Sequence, residues 1–256
     1  MKLIGPVVLA LILAAGATAQ SAEPPLSDTR LTVNTLVRED IFAGFMANDL
    51  TRLSNGERNI QRLLSTRPAE QGELFGWQAG AVMYRAVLAR EAGRAEEYNR
   101  LHKEAVDLLD KAVRSTPNFG SVAPIVGGIN VLFADRMAPE HRAAAWQQSY
   151  DAYNAIWAVQ GTVIDQLPVH FKGEVLAGLV TASQRTGRTA EMNKHLDKML
   201  VSLAGTPYEA TAKQWKQNPQ TQGTTSLACK NCHNDGRLAD TLARLDAPKV
   251  TPVVNR

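Results

Sequence analysis

From Thr29 to about Trp215, apolar residues recur at the spacing of one helical face, and the run is cut only where proline or glycine interrupts it. Val37, Ile41, Phe45 and Leu50 show the pattern early; Leu101, Ala105, Leu108, Leu109 and Ala112 show it again. Residues three and four apart share a helix face, so such a stripe is buried together only in a helix. No stretch alternates apolar with polar residues convincingly, and no Asn-Gly or Asp-Gly joins two strand-like runs. An all-α fold is therefore expected. Apolar residues make up 45% of the 256-residue chain and the formal charge is only +3, so a packed core is expected and disorder is not. A charge this balanced offers no basic stripe, and no nucleic-acid partner is expected.

The stops and turns divide the helical region into pairs. Thr66-Arg67-Pro68, Thr116-Pro117 and Thr206-Pro207 are places a helix cannot continue through, because proline lacks the N–H and clashes with the preceding turn. Another break is expected at Met137-Ala138-Pro139, with Glu140 to Val159 as the following helix. Gly56-Glu57, Gly93-Arg94 and Gly187-Arg188 each read as a turn before a second helix. The last two open similar segments, Gly93-Arg94-Ala95-Glu96-Glu97-Tyr98-Asn99-Arg100 and Gly187-Arg188-Thr189-Ala190-Glu191-Met192-Asn193-Lys194. Val122 to Ala134 is apolar and contains Gly127 and Gly128; it suits either a buried helix or an irregular core segment. Thr206, Pro207 and Glu209 form a start signal for one more helix, running to about Lys216.

Trp77, Gly80, Ala81 and Tyr84 stand at the spacing of the tetratricopeptide signature W-x2-L-G-x2-Y, and here the chain resembles that family's helix pairs. Gly80 replaces the leucine, Ala81 replaces the glycine, and the units are longer than about 34 residues. The resemblance implies about four irregular tetratricopeptide-like helix pairs over residues 29–216. Residues 20–28 read as a loose, Pro-containing lead, and residues 217–256 as a Gln/Thr-rich linker followed by a short C-terminal segment.

The N-terminus has the pattern of a cleavable signal peptide: Met1-Lys2, an apolar run from Leu3 to Ala15, then Ala17-Thr18-Ala19. Residues 1–19 are expected to be removed, leaving Gln20 first and sending the chain to the periplasm or otherwise out of the cytoplasm. The run is short of the roughly 20 residues that span a bilayer. No later segment is long and apolar enough, so no membrane span is expected after cleavage.

Both cysteines lie in Cys229-Lys230-Asn231-Cys232-His233. This C-x-x-C-H pattern is the attachment signature of c-type haem, and through it the chain resembles the c-type cytochromes. The resemblance implies one covalent haem c, with thioether links from Cys229 and Cys232 and His233 as the proximal iron ligand. Two thiols three residues apart can each add across a vinyl group of one porphyrin, which leaves the next histidine beneath the iron. Competing readings are poorer. A structural zinc site needs four N or S ligands, a thioredoxin-type dithiol needs a βαβ context, and a disulfide across three residues closes too small a loop to stabilise much. Only 23 residues follow His233 and none is Met or His, so earlier residues must cover the haem.

A second likeness is to the cytochrome c-prime family, whose C-terminal C-x-x-C-H is followed by x-x-aromatic-Arg. Here Asn234-Asp235-Gly236-Arg237 follows: Arg237 matches, whereas Gly236 replaces the aromatic residue. That likeness implies an open, five-coordinate iron and gas binding.

The sixth iron ligand stays open among Met46, Met83, Met137, Met192, Met199, His102, His141, His170 and His195, or no side chain at all. His170 stands out because Leu167-Pro168-Val169-His170-Phe171 is apolar and lies at a helix start. Met137 stands out because it precedes Pro139 in a turn. Most of the methionines read as core, while His102 and His195 read as exposed on charged faces. Arg237 and Arg244 are candidates for pairing with haem carboxylates, and Trp77, Trp146, Trp157 and Trp215 read as packing anchors. The expected function is an exported monohaem cytochrome that carries single electrons and docks a redox partner protein through its helical repeats. The alternative is a haem-based gas or redox sensor. No motif suggests an enzyme, although a peroxidase-like activity needs only an open iron and acid–base groups.

Overall fold

The computed structural model describes residues 23–219 and 235–247. The signal segment and the motif residues Cys229, Cys232 and His233 lie outside the described residues. Among the described residues there are ten α-helices and no strand, so the fold is all-α. In chain order they are α1 (Val33–Ala47), α2 (Leu50–Thr66), α3 (Gln71–Glu91), α4 (Ala95–Arg114), α5 (Ala123–Phe133), α6 (Pro139–Gln160), α7 (Val169–Arg185), α8 (Thr189–Ser202), α9 (Pro207–Gln217) and α10 (Arg237–Asp246).

The helices pack chiefly as consecutive pairs: α1 with α2, α3 with α4, α5 with α6 and α7 with α8. The first helices of the pairs also pack in series, α1 on α3, α3 on α5 and α5 on α7, and so form an inner row. Gly93 and Gly187 close α3 and α7 in matching turns. Both take the left-handed conformation, with φ of 73° and 75°. The following N–H groups reach back five residues, Arg94 to the Ala89 carbonyl at 2.9 Å and Arg188 to the Ser183 carbonyl at 2.8 Å. This is the glycine-dependent helix ending that satisfies carbonyls otherwise left without partners.

Gly56 behaves differently from the expectation of a turn. It lies inside α2, buried against α1, where an added Cβ would come 2.8 Å from Ile41 Cδ1. Its role is close helix approach, and the turn falls earlier, at Asn48 (φ 55°) with Asp49 capping α2 through the Thr51 and Arg52 N–H groups. The proline stops fall where expected, at the ends of α2, α4 and α8, and α6 begins at Pro139. Val122 to Ala134 forms mainly a buried helix, α5. Thr206 caps α9 by accepting from the Tyr208 N–H, while the Glu209 carboxylate accepts from the Gly205 N–H at 2.7 Å. The lead is not loose from Leu26 onward: the Arg67 guanidinium donates to the carbonyls of Leu26, Asp28 and Leu31 at 2.6–2.9 Å.

The core is one large cluster through α1–α7, with a smaller one where α7, α8 and α9 meet around Leu176, Leu196 and Trp215. No helix among the described residues is long and apolar enough to cross a membrane.

Candidate functional site

Two helices of the inner row present matching stripes. On α1, Asn34, Arg38, Phe42 and Phe45 follow one another at helical spacing; on α7, His170, Glu174, Gly178 and Thr181 do the same. Each stripe spans twelve residues, eleven rises of 1.5 Å or about 16 Å. The two stripes face a shared cavity of about 570 Å³, whose remaining walls come from Trp77 of α3, the Ile125–Leu132 face of α5, Tyr153 and Ile156 of α6, and Tyr208 of α9. The volume lies within the 300–1,000 Å³ usual for ligand sites. Its walls are mostly apolar and aromatic, and charge gathers at Arg38, His170 and Glu174.

Two glycines of α7 seat the tyrosines that shape the cavity. At Gly178 an added Cβ would come 2.3 Å from the Tyr153 ring, so Tyr153 lies directly on the α7 backbone. At Gly173 it would come 2.4 Å from the Tyr208 ring, which brings the Tyr208 hydroxyl 3.2 Å from His170 Nδ1. His170 Nε2 stands 3.8 Å from Glu174 Oε2. Burial holds the His170 imidazole below the usual histidine range, and the cations Arg237 and Arg38 push it the same way. The Glu174 carboxyl is a third exposed, onto the cavity, and removal from bulk water pushes its pKa up to about 7 despite the opposing charge of Arg38. Thr181 is buried, and among the described residues neither its hydroxyl nor Gln160 Oε1, also in the cavity wall, has a hydrogen-bond partner.

Beside the cavity, α10 is pinned to α1. Glu39 accepts from the N–H groups of Gly236 (3.1 Å) and Leu238 (3.0 Å), a carboxylate at the positive end of a helix. Asp235 pairs with Arg52, which also holds Asp40 at 2.9 Å and Glu39 at 3.5 Å. At the far end of α10, Asp246 pairs with Arg30 at 2.7 Å. Arg237, the first residue of α10, lies close enough to Arg38 and His170 to influence both electrostatically.

The residues singled out from sequence separate clearly. His170 is in the cavity wall. Met137 is 1% exposed and lies in the core at the turn before α6, outside that wall. His102 is not an exposed residue: it stacks on His141 with ring centroids 3.9 Å apart, and burial lowers its pKa to about 4. His195 is 4% exposed, edge-on to Trp157, because it shares the buried face of Met192, Leu196 and Met199. Neither His102 nor His195 lines the cavity, and of the proposed sixth ligands only His170 does. Arg244 is exposed and bonds Thr241 within its own helix. Sequence reasoning missed Arg38, Glu174, Thr181 and Tyr208. The four-residue spacing of Arg38 to Asn34 and Phe42 was the available signal.

Among the described residues, no cluster of three or more His, Cys, Asp or Glu is arranged to hold a metal ion. Comparison of the chain with family models, curated proteins and solved structures finds no match.

Proposed function

We propose that the chain is an exported c-type cytochrome with a single haem, attached at Cys229 and Cys232 with His233 as proximal ligand, that transfers one electron at a time to and from a partner protein. The observation that carries this reading is the C-x-x-C-H motif followed at once by the clamp on α10. Two peptide units separate His233 from Asp235, a reach of about 7.6 Å at most. Asp235 and Gly236 are fixed to Arg52 and Glu39, beside the residues that line the cavity.

The residues present fit a haem. The cavity offers apolar and aromatic walls for a macrocycle, the cation Arg38 in its wall for a carboxylate, and the half-buried imidazole of His170. When bound, the haem supplies the Fe(III)/Fe(II) couple. Burial, with the cations Arg237 and Arg38 beside it, favours the neutral form of His170, the form able to ligate a metal. Tyr208, seated on Gly173, fixes the ring through Nδ1, as outer partners of metal-binding histidines commonly do. Phe42, Phe45 and Tyr153 give the cavity an apolar, aromatic wall, and a haem held against it would have its potential set in part by burial. His170 is accordingly the proposed sixth ligand.

Substituting Cys229 and Cys232 by Ala is expected to abolish the covalent haem measured as pyridine haemochrome; unchanged haem in that variant would sink the proposal. A low-spin reduced spectrum that carbon monoxide leaves unaltered supports electron transfer with a protein sixth ligand. A shift on adding carbon monoxide favours an open iron and the sensor reading instead.

A further inference from the structure

Arg38 is out of keeping with the charges around it. Its acidic neighbours on α1 are committed elsewhere: Glu39 caps α10, and Glu39 and Asp40 share Arg52. Across the cavity Glu174 acts on it electrostatically without forming an ion pair, and Arg237 adds a second positive charge from α10. Arg38 thus has neither a hydrogen-bond nor an ion-pair partner among the described residues. It is partly buried, and burial penalises its charged form. A guanidinium withdrawn from water without a counter-charge is unfavourable unless an anion completes it. Its planar fork matches a carboxylate bidentately. The wall beyond it, Phe42 and Phe45 on the same stripe, is apolar. The site is therefore built for an apolar body that carries a carboxylate at one edge.

We infer that Arg38 is a positioning residue that holds a propionate of the haem, so that the inner row of the repeat helices, and not the C-terminal segment alone, fixes how the macrocycle sits. This inference rests on the haem reading above. It assigns Arg38 no bond to iron and no part in covalent attachment.

The test uses the holoprotein carrying Arg38→Met, Arg38→Lys or, as a control on the exposed face of α2, Arg62→Met. Removing an unpaired, partly desolvated cation leaves the fold intact, which circular dichroism checks. Pyridine haemochrome should show full covalent haem in all three variants. A nearby cation disfavours the oxidised, more positive haem, so the midpoint potential should fall in Arg38→Met, recover in large part in Arg38→Lys, and stay at the wild-type value in Arg62→Met. The propionate bending band in the resonance Raman spectrum should shift in Arg38→Met alone. Full haem with a wild-type potential in Arg38→Met overturns this inference and leaves the haem reading standing. So does a fall that Arg38→Lys does not reverse, since that marks a packing effect. Absence of covalent haem from the wild-type chain overturns both.

Discussion

Tyr153 shows how much of this molecule depends on single atoms. Its ring lies against Gly127 of α5 and Gly178 of α7, where an added Cβ would come within 2.7 and 2.3 Å of it. Gly178→Ala must push the ring or the helix aside, and overpacking of this kind costs about 1–3 kcal/mol. A drop of that size in denaturant unfolding is expected, and an unchanged midpoint would show that the ring has room to move. His102 gives a second residue-scale outcome. Burial, reinforced by His141, lowers its folded pKa from 6.5 to about 4. The unfolded chain takes up that proton below about pH 6.5 and the folded chain does not. Stability is therefore full above pH 6.5 and declines as pH falls from 6.5 towards 4. His102→Gln should flatten that decline in melting temperature; an identical slope in wild type and variant would refute the assignment.

At the scale of elements, the legible features were those carried by local backbone chemistry. The prolines that open α6 and α9, and the glycines closing α3 and α7, act through φ and the missing N–H, so sequence alone locates them. Gly56 was misread because a glycine needed for helix contact looks the same in sequence as one needed for a turn. His195 was misread because Lys194 and Asp197 mark its segment as charged, although position 195 falls on the apolar stripe. The clamp on α10 was not legible at all, since Glu39 and Gly236 are 197 residues apart. A ten-residue helix is marginal by itself, and α10 buries no residue fully. Its order should thus depend on Glu39. Glu39→Ala is expected to strip amide-exchange protection from Leu238 to Thr241 while leaving α3 and α4 protected. Retained protection in α10 would mean that Leu238, Leu242 and the Arg30–Asp246 pair suffice.

For the molecule as a whole, the cavity explains why motif and fold gave such unequal information. C-x-x-C-H is five adjacent residues and is read at sight. The cavity draws its walls from positions 34 to 208, contributed by several helices far apart in the chain, and no single local pattern announces it. Its position on the inner row is a property of how the pairs stack, as in repeat proteins generally, where each unit contacts chiefly its neighbours. The same stacking implies independence from the C-terminal segment. The core runs from Leu31 to Trp215, and α10 adds only the partly buried Leu238 and Leu242 to it. A chain ended at Pro219 should keep its helicity and a single cooperative transition near the full-length midpoint, because it loses only peripheral contacts and exposed ion pairs of small value. It should also carry no covalent haem. Loss of cooperativity on truncation would instead show that the segment after Pro219 is part of the folding unit, and that the inner row does not form the cavity without it.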